Sequence, residues 1–166
     1  MDYLWTPWRF QYVTAASQPD QDCIFCYADS QNRDRELLVL HRARFCFVIL
    51  NRFPYSAGHL MLVPYRHFAL LEDASAEELN EIFQLAARCQ KVLREIYSAD
   101  GFNLGMNLGR TAGAGVVGHI HLHLLPRWEG DANFMTVIGE TRVLPETIDE
   151  TFRKLAVHFP DNISNS

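Results

Sequence analysis

Long apolar runs are missing from this sequence. None approaches the ~20 consecutive residues needed to cross a bilayer, so no membrane-spanning helix is expected. Positive charge is also scarce. Lys and Arg number 15 against 20 Asp and Glu, a net charge of −5, which argues against the basic footprint of a nucleic-acid binder. Cysteine is sparse, with Cys23, Cys26, Cys46 and Cys89 the only four among 166 residues. That is no disulfide framework, and a reducing, cytoplasmic location fits it best. Internal repeats and low-complexity tracts are absent. Residues 1–10 are aromatic but lack a basic stretch followed by an apolar one, so they do not read as a signal peptide. The expectation is a single domain whose partner is a small molecule rather than a membrane or a nucleic acid. A polyanionic ligand remains compatible with the negative charge, because backbone amides and a few Arg dominate locally.

What the chain does have is His119-Ile120-His121-Leu122-His123-Leu124-Leu125. Histidine alternating with apolar residues has the period of two that marks a β-strand with one face in the core. The three imidazoles are expected on one face, successive rings roughly 7 Å apart. Burying three titratable rings costs free energy unless each finds hydrogen-bond partners. A run of this kind therefore points to chemistry rather than packing.

The rest of the chain divides around it. Residues 1–35 are mixed polar and aromatic and read as a largely irregular arm carrying Cys23 and Cys26. The remaining residues, 36–166, read as the body of one folding unit. Glu36–Leu40 and Phe45–Leu50 read as a hairpin, and Asn51–Gly58 as a loop before a strand at His59–Pro64. Ser75 and Glu78 form a capping box that opens a helix to about Ser98. Its apolar stripe is expected at Leu79, Ile82, Phe83, Ala86, Cys89, Leu93 and Ile96. Phe102–Leu108 is a further strand, and His119–Leu125 is expected to end at Pro126. Pro145 stands near the start of a last helix reaching about His158. Strands cluster and helices segregate, the pattern of an α+β domain with an antiparallel sheet.

Gly105, Gly109, Gly113, Gly115 and Gly118 lie ahead of the histidines. Such a loop brings backbone amides close to an anion and suits a phosphate cradle, with Asn107, Arg110 and Arg127 as neighbouring donors. Cys23-x-x-Cys26 has the spacing of two thiolates on one tetrahedral zinc. His67 and His119 are the best available partners for a closed, structural site. A rival reading places zinc on the triad itself, as a hydrolase with an activated water, but no carboxylate stands nearby as general base. The reading that needs no catalytic metal is a histidine nucleophile that forms a covalent phosphohistidine intermediate, its neighbours stabilising charge on the phosphoryl oxygens.

His-φ-His-φ-His-φ-φ followed by Pro126-Arg127 resembles the signature of the histidine triad (HIT) superfamily. Asn51-Arg52-Phe53-Pro54, Gly58–Pro64 and Gly101–Asn107 resemble further blocks of it. Leu4–Arg9, Cys23-Ile24-Phe25-Cys26 and Pro126–Met135 look like the bacterial branch of diadenosine tetraphosphate phosphorylase-like proteins. The resemblance implies a five-stranded antiparallel sheet with two main helices, as a homodimer. It implies His121 as the nucleophile toward the α-phosphate of an AMP-containing substrate and His123 beside the phosphate oxygens, with His119 as the first triad member and His59 behind them. Asn51 and Asn107 match nucleotide-binding positions, to which the glycine loop read above adds Gly113 and Gly115. Cys23, Cys26, His67 and His119 match the ligands of zinc-containing members. The expected activity is phosphorolysis of diadenosine tetraphosphate to ADP and ATP. The alternatives are hydrolysis of a dinucleoside polyphosphate or a phosphoramidate, or a nucleotide-binding adaptor. One departure stands out. Ala114-Gly115-Val116-Val117 offers no polar side chain where many members place Ser or Gln, so a serine proton relay is missing.

Overall fold

The computed structural model describes residues 23–131 and 145–159; the expectations for Leu4–Arg9, for the other residues before Cys23 and for 132–144 lie outside them. Within this range stand helices α1 (Ile24–Ser30), α2 (Asp34–Leu37), α3 (Ala76–Tyr97) and α4 (Ile148–Ala156), and strands β1 (Val39–Arg42), β2 (Cys46–Leu50), β3 (Leu60–Pro64), β4 (Gly101–Gly105) and β5 (Leu122–Arg127). The strands form one five-stranded sheet in the order β1-β2-β3-β5-β4, antiparallel throughout. This is the α+β architecture expected.

Register decides which side chains share a face, because successive residues of a strand point to opposite sides. Val48, Leu62 and Leu122 lie in line across the sheet, as do Leu50, Leu60 and Leu124. Ile49, Met61 and His123 line up on the other face. The leucine face carries α3. A Cβ placed on Gly58 would meet Leu93 and Tyr97 of α3 and Pro126 of β5. Leu60, Leu62, Ile82, Leu93 and Leu124 are almost wholly buried between the layers, each stabilising the fold by about 1.5–3 kcal/mol. His123 is thereby left on the face away from α3.

Helix α3 begins as its sequence predicts. The Ser75 hydroxyl accepts from the Glu78 amide, and the Glu78 carboxylate accepts from the Ser75 amide at 2.7 Å. It ends at Ser98, whose left-handed φ of 50° closes the last turn. Its buried stripe runs through Glu78, Ile82, Leu85, Ala86, Cys89, Val92 and Leu93. Phe83, expected in that stripe, is half exposed; Leu85 and Val92 take the inward positions.

Three expectations are corrected. The arm is not irregular where it is described: α1 and α2 occupy 24–30 and 34–37, and Phe25 and Ala28 enter the common core. The Arg42 guanidinium donates to the Asp34 carboxylate and to the carbonyls of Ala28 and Gln31, tying both helices to β1. The first strand starts at Val39 rather than Glu36, because Leu38 takes a left-handed φ of 66° that ends α2. The triad strand starts at Leu122 rather than His119 and runs through Pro126 to Arg127. Before it, the Ile120 amide donates to the Phe68 carbonyl instead of to the sheet.

Candidate active site and metal cluster

Three histidines of the site, His59, His119 and His121, have their protons placed by main-chain groups of fixed polarity. A neutral imidazole carries one donor and one acceptor nitrogen. Gly58, at φ +73°, makes the turn that delivers His59; a Cβ there would lie 2.9 Å from Leu93. His59 is fully buried. Its Nδ1 accepts from the Tyr55 amide at 3.1 Å, so its proton sits on Nε2. That Nε2–H donates to His123 Nδ1 at 2.9 Å. The remaining proton of His123 is therefore on its own Nε2, as a hydrogen-bond donor.

His121 is set the opposite way. Its Nδ1 lies 2.9 Å from the main-chain oxygen of His119. A carbonyl only accepts, so Nδ1 holds the proton and Nε2 presents a lone pair. Burial pushes the pKa of His121 below the ordinary value, against the pull of the His119 carbonyl. The ring is therefore neutral at pH 7. The rings of His121 and His123 are neighbours, with centroids 4.8 Å apart at 74°. A lone pair beside a fixed N–H donor is the arrangement of a nucleophile next to a group that stabilises phosphoryl oxygens.

His119 turns its ring toward the cysteines instead. Its Nε2–H donates to the Pro64 carbonyl at 2.8 Å. Its Nδ1 lies 3.3 Å from Cys23 Sγ and 3.6 Å from Cys26 Sγ. His67 Nδ1 lies 3.3 Å from Cys26 Sγ. The ligand atoms of Cys23, Cys26, His67 and His119 all fall within 4.8 Å of one another. A tetrahedral zinc with metal–ligand bonds of about 2.0–2.3 Å keeps its ligand atoms roughly 3.3–3.8 Å apart, and the Cys–His contacts of 3.3, 3.3 and 3.6 Å lie in that range. The Pro64 carbonyl supplies the outer partner that orients a metal-bound imidazole. Burial lowers the His119 pKa to about 4, keeping the ring neutral. Burial and then Cys23 raise the Cys26 thiol to about 11. Both sulfurs become thiolates when a cation replaces their protons.

The glycine loop borders this site. Gly105 lies directly opposite His123 in the β4–β5 ladder, with Asn107 two residues further on. Gly113 follows the short turn Arg110–Ala112 at φ +86°, a backbone position that L side chains resist. Gly115 lies in the half-buried stretch that leads to His119. Arg127 is held by Asp131 and Asn103, whereas Arg110 is exposed. The Asn51 carbonyl oxygen accepts from the Phe53 amide at 2.9 Å, and its amide nitrogen lies 3.3 Å from His59 Nδ1. Asn51, Arg52 and His59 line a cavity of about 230 Å³ closed by Thr147, Ile148 and Thr151.

Sequence reasoning missed four contributors. Phe25 packs on both His119 and His121, and its place between the two cysteines was the available signal. Tyr55 lays its ring 4.8 Å from His59 and 6.2 Å from His123, besides orienting His59 with its amide. The carbonyls of Pro64 and His119 have no side-chain signature at all.

Comparison with known proteins agrees with this geometry. The HIT domain family model matches residues 33–130. The AP-4-A phosphorylase of Mycobacterium tuberculosis is 38% identical over 162 residues, covering 94% of this chain and 83% of that protein. The bis(5'-nucleosyl)-tetraphosphatase [asymmetrical] of Schizosaccharomyces pombe is 31% identical over 93 residues, covering 56% of this chain and 50% of that protein. Among solved structures, a Zn-bound histidine triad family protein from Mycobacterium smegmatis superposes with a TM-score of 0.66 at 26% identity, covering 84% of this chain and 94% of that one. With its triad, its sheet and these relatives in agreement, the chain belongs to the HIT family.

Proposed function

We propose that this protein is a phosphorylase of diadenosine tetraphosphate that works through an adenylyl-histidine intermediate. The observation that carries the reading is the fixed tautomer of His121, whose Nδ1–H is committed to the His119 carbonyl. His121 Nε2 attacks the α-phosphorus, the bond to the bridging oxygen breaks, and ATP leaves. Inorganic phosphate then attacks the same phosphorus from the other side, frees His121 and yields ADP. His123, oriented by His59, donates its Nε2–H to the phosphoryl oxygens. Asn51, Asn107, Gly113 and Gly115 are assigned to the nucleotide. Ala114–Val117 has no hydroxyl, so phosphate contacts there fall to backbone amides.

The name and the 38% identity of the mycobacterial relative support phosphate as acceptor. The fission-yeast relative, named a tetraphosphatase, supports water as the second reading. One assay separates them. Purified protein is given diadenosine tetraphosphate with and without inorganic phosphate. Phosphate-dependent formation of ADP and ATP is the expected result. AMP and ATP without phosphate dependence mark a hydrolase. Nucleotide binding with no turnover of any substrate marks an adaptor.

The reading includes a structural zinc on Cys23, Cys26, His67 and His119, supported by their convergence and by the zinc of the mycobacterial structure. It includes a homodimer and a cytoplasmic location; four free cysteines support the latter. It treats the arm, 1–35, and the body, 36–166, as one folding unit. No helix among the described residues is long and apolar enough to cross a membrane.

A further inference from the structure

Phe25 touches both histidines on which the site turns. It is 1% exposed, and its ring lies edge-on to His119 at 5.5 Å and against His121 at 5.0 Å. It belongs to α1, which also carries Cys26, with Cys23 as its cap residue. One short helix thus brings two sulfurs to His119 Nδ1 and one aromatic ring to His121. The other nitrogen of His119 is taken by the Pro64 carbonyl. With both ring nitrogens engaged, the side chain of His119 is held, and its main-chain oxygen, the acceptor for His121, is held with it.

We propose that α1 is the positioning element of the nucleophile, with Phe25 setting the plane of the His121 ring and Cys23 and Cys26, closed on His67 and His119, securing the carbonyl that fixes its tautomer. The physical need is clear. Rotation about the outer bond of a histidine is broad, and one hydrogen bond through Nδ1 leaves the ring free to swing about that bond's axis. Phe25 removes the swing. In-line attack on phosphorus rewards this, since a misplacement of about 1 Å costs roughly a hundredfold in rate. Phe25 acts through His121 and is a positioning residue, not a catalytic one. Metal content and nucleophile alignment are thereby coupled, and protein stripped of metal binds nucleotide but transfers slowly. The inference rests on His121 being the nucleophile.

The test uses full-length, zinc-loaded protein labelled with ¹⁵N at histidine, with His121 assigned from its absence in His121→Gly. Wild type is expected to show a protonated Nδ1 and an unprotonated Nε2 at His121. Phe25→Leu keeps most of the apolar volume and should keep its zinc. Its kcat should fall roughly ten- to hundredfold with KM within about twofold, and its His121 signals should shift toward mixed tautomers. Chelation should cause the same shift, reversed by adding zinc back. Wild-type kcat and unchanged His121 signals in Phe25→Leu overturn the proposal. So does a lower melting temperature without movement of those signals, which marks a role in packing alone. If chelation unfolds the protein, Phe25→Leu decides by itself. Absence of adenylyl transfer to His121 in wild type defeats the functional reading instead, while the nitrogen signals still judge the positioning.

Discussion

The lone pair on His121 Nε2, the nucleophile of the proposed mechanism, is set by a main-chain carbonyl that accepts from Nδ1. Removing the ring should therefore abolish transfer while leaving the pocket intact. His121→Gly is expected to lose turnover by at least roughly 10⁴-fold and to bind AMP within a few-fold of wild type by calorimetry. Turnover near wild type in folded, uncontaminated His121→Gly would refute the nucleophile. At this scale the sequence picked out residues that the fold brings together. Histidine and cysteine have few uses at such spacings, and His59, His67, His119, His121 and His123 all meet in the fold as two linked clusters. It was silent about which nitrogen carries each proton. That depends on the oxygens of Pro64 and His119 and the amide of Tyr55, groups every residue possesses. The spacing did pair His119 with Cys23, Cys26 and His67, and its ring lies against the sulfurs in the fold.

Elements were legible where local chemistry sets their ends. The capping box located the start of α3 to the residue, because Ser75 and Glu78 satisfy each other's backbone amides. Arg66 adds to this by pairing with Glu78. Arg66 first, then the Ser75 amide and hydroxyl, hold the Glu78 carboxyl at about 2 against the opposing effect of burial. Its folded pKa thus lies below the unfolded value near 4.5. The stabilisation is present in full above that value and is lost as pH falls from about 4.5 to 2. Glu78→Gln should therefore cost about 2 kcal/mol at pH 7 and show a flatter loss of stability on acidification, read from urea melts. Equal pH profiles for variant and wild type would contradict the pairing. The glycine loop offers a second case. Gly113→Val should weaken AMP binding more than it lowers the melting temperature, since a Cβ there meets nothing within 4 Å and the strain of φ +86° falls on the loop. Unchanged affinity in folded protein would move the phosphate contacts to Asn107 and Arg110. Strand ends were less legible. Alternation continues through His119-Ile120-His121, yet Ile120 bonds to Phe68, a partner far away in sequence.

Across the whole molecule, the sheet has its two faces assigned to different tasks. The leucine face with α3 supplies stability, and the other face carries His123 in the site that α1 supports. The arm is joined to that site through Cys23 and Cys26. Cys23→Ser with Cys26→Ser should lose about one zinc per chain and lower the melting temperature by several degrees, measured by metal analysis and calorimetry. Retention of zinc by the double variant would remove these sulfurs from the site. Fold class was readable because strands and helices segregate in the sequence. The meeting of Cys23 and Cys26 with His67 and His119 was also anticipated, but the helices of the arm, tied to β1 by Arg42, were not.

The proposed mechanism requires a covalent bond between His121 and an adenylyl group. Protein mixed with diadenosine tetraphosphate in the absence of phosphate, quenched within milliseconds to seconds and analysed by intact and peptide mass spectrometry, reads that bond. The expected result is a gain of one adenylyl group per chain, located on His121 and discharged to ADP when phosphate is added before the quench. Product formation with no adduct at any time, or an adduct on another residue, would contradict it.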